Sequence, residues 1–301
     1  MKILITGVRG QLGCELVRIL HDGQSEIGSI PDAYNHAEVV GTDVADLDIT
    51  DAQAVDAFIK NGSFDLVINC AAMTNVDACE DHEDAAYQVN ALGPRNLAQA
   101  CQETGAKLVH VSTDYVFDGT TPKERIEDDT PDPRSAYGRT KLAGEQLVQK
   151  ACKQSFIVRT AWLYGYVGKN FVKTMIRLAK EHGAIKVVDD QRGNPTSAND
   201  LAYEILQLAA TDQYGIYHCT NKGICSWYDF ACAIVDGAKI PCTKTPCTSG
   251  DLNRAAQRPA YSALRNKHLE DTIGDNMRPW QDALAMYLQR YNDQARDTPQ
   301  A

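Results

Sequence analysis

Short apolar runs alternate with longer amphipathic segments along the first half of the chain. The runs cover residues 3–6, 38–41, 66–70, 107–112 and 156–160, and they are rich in β-branched residues. Strands that alternate with helices in this way form parallel sheets with helices on both faces. The pattern therefore predicts an α/β fold built on a doubly wound parallel sheet.

The pattern changes in two places. Residues 21–37 are rich in turn-forming and polar residues, so we expect a surface excursion before the second strand. After about residue 160 the alternation loosens, although a C-terminal helix is predicted over residues 280–291. We therefore predict a first domain over residues 1–160, to which part of 195–220 returns. Residues 161–301 mainly form a smaller, loop-rich region that lies over the mouth of the sheet.

The first predicted strand leads directly into a glycine-rich loop and a helix. Gly7, Gly10 and Gly13 follow the strand, and Leu16 and Leu20 continue as an apolar helix face. Glycines let a backbone approach a pyrophosphate, whose charge is met by amides at the helix N-terminus. The GxxGxxG spacing differs from the GxGxxG of many dehydrogenases. The position of the loop after the first strand still indicates a nucleotide site.

Composition narrows the class of protein. The chain has 301 residues, of which 44% are hydrophobic and 23% charged, which is typical of a globular protein with an ample core. Its net charge of -10, with no run of Lys or Arg, argues against a nucleic-acid partner. The chain begins without a charged leader and apolar core, and no apolar run reaches membrane-spanning length. We therefore expect a cytoplasmic protein without membrane contact.

Ten cysteines are scattered along the chain without CxxC pairs or histidines at metal-binding spacing. Cytoplasmic thiols stay reduced, so we expect free cysteines rather than disulfides or a zinc site.

The segment SAYGRTK places Tyr137 four residues before Lys141. On a helix these two side chains share a face. A neighbouring ammonium favours the phenolate, so we expect Lys141 to bring the pKa of the Tyr137 hydroxyl closer to neutrality. Such a pair can donate a proton to a carbonyl. The same spacing of Tyr and Lys also fits a solvated helix face. The predicted nucleotide-binding loop favours the catalytic interpretation.

Seven segments in chain order carry a resemblance to a known family. They are GVRGQLG, NCAAMTNVD, STDYVFDG, YGRTKLAGE, RTAWLYG, DDQRGNPT and RPAYSAL. Together they resemble the extended short-chain dehydrogenase/reductases, and within them the dTDP-4-dehydrorhamnose reductase family. The resemblance implies a Rossmann-type dinucleotide-binding domain over residues 1–160 and substrate binding mainly by residues 161–301. It also implies an oxidoreductase that acts on a nucleotide sugar in polysaccharide biosynthesis.

The resemblance assigns three catalytic residues. Thr113 corresponds to the hydroxyl that hydrogen-bonds the substrate oxygen, Tyr137 to the proton donor, and Lys141 to the residue that binds nicotinamide ribose and tunes Tyr137. A physical argument agrees with these roles. Hydride delivery to a carbonyl carbon builds negative charge on the oxygen, and nearby hydroxyl groups stabilise that charge.

The cofactor implied by the resemblance is NADPH or NADH. An acid after the second strand, here Asp43, usually accepts the ribose 2′-hydroxyl and disfavours a 2′-phosphate. Arg9, inside the loop, could instead pair with that phosphate, so both cofactors remain open. The predicted cofactor-binding residues are Gly7, Gly10, Gln11, Leu12, Gly13, Asp43, Asp48, Ile49, Ala71, Ala72 and Met73, together with Tyr137 and Lys141.

The implied substrate is a dTDP-sugar. We expect Trp162 to pack against the sugar or support the nicotinamide pocket, and Arg258 to hold a diphosphate in a bidentate manner. A buried core tryptophan and a surface ion pair are the competing interpretations of these two residues. The predicted substrate-binding residues are Thr74, Val76, Thr113, Asp114, Tyr115, Trp162, Asn194 and Arg258, with Pro195, Thr196 and Pro259 in the same loops.

Some members of the family dimerise through magnesium held by acidic residues. Glu15 matches one such ligand, but Asn199 stands where a second carboxylate would be needed. We therefore expect no metal site, and a monomer or a weak homodimer.

The reaction implied is the NAD(P)H-dependent reduction of the C4 keto group of dTDP-4-dehydro-β-L-rhamnose to dTDP-L-rhamnose, with Tyr137 as proton donor. The alternatives are another nucleotide-sugar reductase, an epimerase or dehydratase, and a non-catalytic regulatory homologue. Tyr115 follows Asp114 where dehydratases tend to place a Glu. The intact set of Thr113, Tyr137 and Lys141 argues against a purely regulatory role.

Overall fold

The structure is a computed structural model that describes residues 1–252 and 255–297, with side chains described to residue 293. The first five predicted strands are present, each within one residue of its predicted ends. The strands are β1 (Lys2–Thr6), β2 (Glu38–Thr42), β3 (Leu66–Asn69), β4 (Lys107–Thr113), β5 (Ser155–Thr160), β6 (Leu163–Tyr164), β7 (Ala184–Val188), β8 (Arg192–Gly193), β9 (Thr196–Ser197), β10 (Gly215–His218), β11 (Cys225–Ser226) and β12 (Thr243–Cys247).

Helices follow most of these strands, and the predicted C-terminal helix extends beyond its expected end. The helices are α1 (Gln11–Asp22), α2 (Ala52–Gly62), α3 (Val76–Asp81), α4 (Glu83–Tyr87), α5 (Gly93–Thr104), α6 (Ala136–Ala151), α7 (Phe171–His182), α8 (Ala198–Ala209), α9 (Trp227–Gly237), α10 (Lys267–Thr272) and α11 (Trp280–Asp297).

The main sheet is parallel and has the strand order β10-β5-β4-β3-β1-β2. The chain runs from β1 outward to β2 and then returns to β3 on the other side of β1. The strand order therefore reverses between β1 and β3, and ligands of open α/β sheets bind at such a point, outside the carboxyl ends of the strands. The register keeps these ends level, because Thr6 pairs with both Thr42 and Asn69. The predicted doubly wound sheet is confirmed.

Alternate residues of each strand pack against opposite helix layers. Ile3 and Ile5 pack with α1 and α8 on one face of the sheet. Leu4 points to the other face and packs with α2, α5 and α6. All three side chains are fully buried. A strand buried on both faces needs an uninterrupted apolar run, which explains the sequence of β1.

A second core lies beyond β5 in the chain. It joins α7, α9 and α11 around Ile176, Phe230 and Leu284. The residues between these helices do not all belong to it, because α8 packs on α1 and β10 pairs with β5. The helix α8 and the strand β10 thus extend the main sheet layer. The domain boundaries at residue 160 and in 195–220 stay a prediction.

The segment 21–37 is more than a surface excursion. It contains a 3-10 helix (Asp32–Tyr34) and a bridge between Gln24 and Ser29. Tyr34 is fully buried, and its hydroxyl donates to the carbonyl of Leu206 at 2.8 Å. One aromatic side chain therefore anchors the segment to α8, which its polar neighbours in the sequence do not reveal.

Within the described ranges, no helix is long and apolar enough to cross a membrane. All ten cysteines are free. The same ranges contain no cluster of His, Cys, Asp or Glu arranged to hold a metal ion.

Candidate active site

Two adjoining cavities lie at the carboxyl ends of the main-sheet strands. The smaller cavity has a volume of about 310 Å³ and lies beside the ends of β1, β2 and β3, where Gly7, Asp43 and Ile49 line it. The larger cavity, of about 610 Å³, lies beside the ends of β4 and β5 and against α6. Gly10 and Ala72 line both cavities, so the two form one cleft at the reversal of strand order.

The glycine loop forms a wall that the two cavities share. Gly7 has a φ of +66°, a left-handed conformation that glycine adopts without strain. A Cβ at Gly7 would lie 2.8 Å from the amide nitrogen of Ala71, and one at Gly13 would lie 2.5 Å from the carbonyl oxygen of Gly7. The loop therefore packs closer to β3 than a larger residue would allow. All its predicted residues line the cleft, namely Gly7, Gly10, Gln11, Leu12 and Gly13.

The acid predicted after β2 faces the smaller cavity. One carboxylate oxygen of Asp43 accepts the amide of Arg9 at 3.3 Å, and the other accepts the amide of Val44 at 2.9 Å. Asp43 thus ties the glycine loop to the end of β2. Asp48 and Ile49 line the same cavity. Arg9 is exposed and is not among the residues that line either cavity.

The segment after β3 only partly faces the cleft. Ala71 and Ala72 line it, whereas Met73 does not. Asn90 holds the backbone of Met73 by accepting its amide at 2.8 Å and donating to its carbonyl at 3.0 Å. Asn90 lies in a π-helical turn (Gln88–Leu92), a distortion common at functional sites. Its amide also donates to Thr140 at 3.2 Å, so this residue links the loop after β3 to α6.

Helix α6 carries the predicted Tyr and Lys to the larger cavity. Ser135 caps the helix by accepting the amide of Gly138 at 3.1 Å, which sets the helix start at Ala136. Tyr137 and Lys141 then lie one turn apart, and both line the larger cavity. The local sequence around the cap therefore determines which helix face the two side chains occupy.

Hydroxyl groups connect across the larger cavity from α6 to the end of β4. Thr113 and Tyr137 both line this cavity, and the Thr113 hydroxyl donates to Asp114 at 2.9 Å. Asp114 is buried, and burial raises the pKa of its carboxyl group to about 6. The ring of Tyr115 contacts that of Tyr137 edge to face, with centroids 5.5 Å apart. The predicted catalytic residues are thus brought together.

The expected effect of Lys141 on Tyr137 is absent. Burial raises the pKa of the Tyr137 hydroxyl above its ordinary value, and the hydrogen bond with Thr113 opposes this rise only in part. Burial also lowers the pKa of Lys141 to about 8, against the charge of Glu145. The Lys141 ammonium donates to the carbonyl of Val111 at 2.6 Å. Desolvation is the largest cause of the Tyr137 shift, and Lys141 is not among the groups that oppose it, so the predicted lowering of the Tyr137 pKa is wrong.

Trp162 lines the larger cavity in an unusual backbone conformation. Its φ is +48°, which is uncommon for a non-glycine residue. Its indole stacks on that of Trp227, with ring centroids 3.5 Å apart and planes 7° from parallel. A Cβ at Gly193 would lie 2.7 Å from the Trp162 ring, so the stack leaves no room for a side chain there. Sequence reasoning missed Trp227, because a tryptophan at a helix start carries no ligand signal by itself.

The larger cavity gathers most of the predicted substrate-side residues, namely Thr74, Val76, Thr113, Asp114, Tyr115 and Trp162. The cleft also contains residues that the sequence analysis did not single out. Many of them flank the ends of main-sheet strands, and that position is the signal that could have found them. They are Thr6, Val44, Leu47, Cys70, Val89, Val111, Ser112, Thr160, Ala161, Leu163, Gly168, Lys169 and Trp227.

Two predicted substrate residues lie outside the lining of both cavities. Asn194 is buried, its amide donating to the carbonyl of Gly223 and its oxygen accepting the amide of Leu264, both at 2.9 Å. Arg258 forms an ion pair with Asp77 at 2.7 Å. Both side chains hold segments of the protein together here, and their contact with substrate stays a prediction.

The residues around Glu15 do not fit a magnesium site. The Glu15 carboxylate accepts the amide of Asn199 at 2.9 Å and pairs with Arg18 at 3.0 Å. The oxygen of Asn199 accepts the backbone amide of Glu26 at 2.9 Å. The amide and the guanidinium both contact the same carboxylate oxygen, Oε2, and the positive charge of Arg18 there opposes a magnesium ion.

Known proteins resemble this chain over nearly its whole length. The family model of the RmlD substrate binding domain matches residues 1–293. A dTDP-4-dehydrorhamnose reductase from Mycobacterium tuberculosis is 41% identical over 95% of this chain and 92% of its own. The crystal structure of a dTDP-4-dehydrorhamnose reductase from Clostridium acetobutylicum is 49% identical, with a TM-score of 0.92 over 97% of this chain and 100% of that chain.

A further solved structure includes a dinucleotide. The dTDP-4-dehydrorhamnose reductase from Bacillus anthracis, in complex with NADP, is 40% identical, with a TM-score of 0.89 over 96% of this chain and 99% of that chain. The likeness covers both the main sheet and the region beyond β5, which excludes a match to the dinucleotide-binding part alone. The protein is therefore an oxidoreductase with a Rossmann-type fold, and it belongs to the family of the RmlD substrate binding domain together with the dTDP-4-dehydrorhamnose reductases.

Proposed function

We propose that this protein reduces the C4 keto group of dTDP-4-dehydro-β-L-rhamnose to dTDP-L-rhamnose, with NADPH or NADH as the hydride donor. One observation carries the proposal. Gly10 and Gly13 of the glycine loop line the same cavity of about 610 Å³ as Thr113 and Tyr137. A dinucleotide held by the loop and a keto sugar held by the hydroxyl groups would meet in that volume.

The residues present fit a nicotinamide dinucleotide. The helix α1 begins after Gly10, and no side chain caps its first amides. Gly7 and Gly13 leave no room for a Cβ, so the loop keeps its backbone close to the cleft. Uncapped amides at a helix N-terminus attract a pyrophosphate. Asp43 faces the smaller cavity, where a ribose hydroxyl would find an acceptor. When bound, the reduced nicotinamide supplies the hydride.

Tyr137 is suited to donate the proton. Because burial raises its pKa, the hydroxyl keeps its proton at neutral pH until a strong base forms beside it. The C4 oxygen becomes such a base as hydride reaches the carbonyl carbon, and the proton then passes from Tyr137 Oη to that oxygen. Lys141, with a pKa of about 8, is still largely cationic at neutral pH, and its ammonium would also donate to the hydroxyl groups of the nicotinamide ribose.

Thr113 would supply a second hydrogen bond to the same oxygen. Its side chain lines the larger cavity with Tyr137, and its hydroxyl donates to Asp114 at 2.9 Å. To donate to substrate, the hydroxyl must rotate away from Asp114, whose carboxyl group is buried and disfavours charge. After this rotation, the hydroxyls of Thr113 and Tyr137 would both meet the negative charge where it develops.

The sugar would lie against an apolar wall. The stacked indoles of Trp162 and Trp227 both line the larger cavity, as does Val76. Aromatic rings pack well on the apolar face and methyl group of a deoxysugar. This wall supports a 6-deoxy sugar as the substrate and leaves the polar edge of the sugar to Thr74 and Thr113.

The test follows the loss of reduced nicotinamide absorbance when the purified protein is mixed with NADPH or NADH and enzymatically prepared dTDP-4-dehydro-β-L-rhamnose. We expect substrate-dependent oxidation and the formation of dTDP-L-rhamnose. No oxidation with either cofactor, by a folded protein that binds dinucleotide, would contradict the proposal. Parallel assays with other dTDP-4-keto sugars identify the substrate. Faster oxidation of NADPH or NADH with one of these sugars would make that sugar the substrate.

A further inference from the structure

The loop 165–170, which connects β6 to α7, lies against the glycine loop. Asn170 donates to the side-chain oxygen of Gln11, the first residue of α1, at 2.9 Å. On the other side of Lys169, a Cβ at Gly168 would lie 3.7 Å from Cγ of Gln11. Gly165 also lies beside Gln11, since a Cβ at Gly165 would lie 3.3 Å from Cβ of Gln11. The loop 165–170 therefore packs against the start of α1, where a pyrophosphate would bind.

Contacts that do not involve the Lys169 side chain hold this loop in place. Asn170 caps α7 by accepting the amide of Lys173 at 3.0 Å, and its own amide donates to the carbonyl of Gly165 at 2.7 Å. The Lys173 ammonium donates to the carbonyls of Tyr166 at 2.6 Å and Gly168 at 3.2 Å. Lys169 is therefore presented by a loop whose conformation is determined elsewhere.

Lys169 is a cation with no counter-ion nearby. It is exposed and lines the larger cavity beside Gly10, Gln11 and Gly13. No carboxylate of the described residues forms an ion pair with it, although the chain carries a net charge of -10. The other cation of that lining, Lys141, donates to a backbone carbonyl. Of the two lysines in this lining, Lys169 is therefore the exposed one that is open to an anionic ligand.

We propose that Lys169 binds the pyrophosphate of the nicotinamide dinucleotide, on the side opposite the amides of the glycine loop. This inference rests on the proposed function, because it takes the cleft to hold a dinucleotide. A sugar nucleotide also carries a diphosphate that an ammonium would bind. The contacts of Asn170 and Gly168 with Gln11 favour the dinucleotide, since they hold Lys169 beside the first residue of α1. A charge-assisted contact of this kind changes affinity by about tenfold.

The test measures direct binding of ADP-ribose and of dTDP to Lys169→Met by calorimetry. ADP-ribose carries the pyrophosphate of the dinucleotide, and dTDP carries that of the sugar nucleotide. We expect the Kd of ADP-ribose to rise about tenfold while that of dTDP is unchanged. The reverse pattern would assign Lys169 to the sugar nucleotide and overturn the proposal, as would an equal loss for both ligands or no change for either.

Three controls sharpen this result. Lys169→Arg keeps the charge and should retain ADP-ribose affinity within about twofold. Lys153→Met removes an exposed lysine that is not part of the cleft and should change nothing. The difference between Lys169→Met and the parent should shrink at high ionic strength, because salt screens an exposed charge. Binding needs no turnover, so failure of the proposed reaction would leave this test intact.

Discussion

Burial is the dominant influence on the side chains that face the larger cavity. It raises the pKa of the Tyr137 hydroxyl, raises that of Asp114 to about 6 and lowers that of Lys141 to about 8. Each shift favours the neutral form of the group. A neutral phenol is a proton donor, so the cavity keeps the Tyr137 hydroxyl in the protonated form that a carbonyl reduction needs.

Replacement of Tyr137 by Phe removes this proton and little else. We expect kcat to fall by about 100-fold or more, because general acid catalysis contributes at least that factor. The ring and its contact with Tyr115 remain, so the Kd for NADPH should stay within about twofold of the parent value. Steady-state kinetics and calorimetry measure the two quantities. Near-normal turnover in Tyr137→Phe would contradict the assigned proton donor.

Trp227 lines the larger cavity and also supports Trp162 by stacking on it. Without the stack, Trp162 loses the ring that supports its conformation at a φ of +48°. We expect Trp227→Leu to raise the KM for the sugar nucleotide by up to about tenfold, since aromatic pairs contribute about 1 kcal/mol. The Kd for NADPH should not change. Trp227→Phe keeps an aromatic face, so its KM for the sugar nucleotide should lie between those of the parent and Trp227→Leu. An unchanged KM in Trp227→Leu would argue against the apolar wall.

At the scale of elements, two short segments determine the geometry of the cleft. The cap by Ser135 starts α6 and places Tyr137 and Lys141 one turn apart. The glycine loop lies against the end of β3, where Gly7 would clash with Ala71 if it carried a Cβ. The sequence predicted the glycine loop and the shared face of Tyr137 and Lys141, whereas the Ser135 cap and the contact of Gly7 with Ala71 are known only from the fold.

Gly7 must adopt a positive φ and must also lack a Cβ, and an experiment can separate these two requirements. Gly7 and Gly105 both have positive φ, at +66° and +77°, but an added Cβ at Gly105 meets nothing within 4 Å. We expect Gly105→Ala to lose about 1 to 2 kcal/mol in urea unfolding from the φ strain, and Gly7→Ala to lose more because its Cβ also meets Ala71. Only Gly7→Ala should also weaken dinucleotide binding, by more than about tenfold, because Ala71 must move. Equal binding by the two variants would exclude a special role for the loop.

At the scale of the whole molecule, residues far apart in the chain meet around Arg278. Its guanidinium pairs with Asp200 at 2.6 Å and with Glu26 at 3.0 Å, and Asn221 donates to Asp200 at 2.7 Å. Asp200 and Asn221 are fully buried. Breaking a buried pair of this kind costs roughly 3–5 kcal/mol. This cluster therefore ties α8 to the segment after α1 and to the segment before α11.

Glu204 makes global stability depend on pH. It is buried on α8, one of its oxygens has no partner among the described residues, and burial raises its pKa to about 7. In the unfolded chain its pKa is about 4.3. Because the folded state binds this proton more tightly, the stability from Glu204 is fully present below about pH 4 and is lost as pH rises through 7.

Glu204→Gln removes this titration. We expect the variant to match the parent near pH 4 and to exceed its free energy of unfolding by up to about 3 kcal/mol near pH 8. Urea unfolding at several pH values measures the difference. Glu181→Gln, at an exposed carboxylate on α7, is the matched control and should follow the parent. A constant difference between Glu204→Gln and the parent at all pH values would refute the assigned titration.

Local patterns in the chain determined the strands, the glycine loop and the Tyr137–Lys141 face. Each of these depends on neighbours within a few positions, through side-chain alternation, backbone freedom at glycine and helix periodicity. The seven family segments also indicated the Rossmann-type fold and the oxidoreductase family, and both are confirmed.

Tertiary structure alone decided what each side chain meets. It buried Tyr34 within a polar segment, stacked Trp227 on Trp162, and used Asn194 to join loops away from the cleft. It also half-buried Tyr137, and desolvation of the hydroxyl reverses the expected direction of its pKa shift. These outcomes depend on contacts between residues far apart in the chain and on the water that those contacts exclude. A local pattern of residues reveals neither these contacts nor the exclusion of water, since both arise only when the helices pack on the sheet.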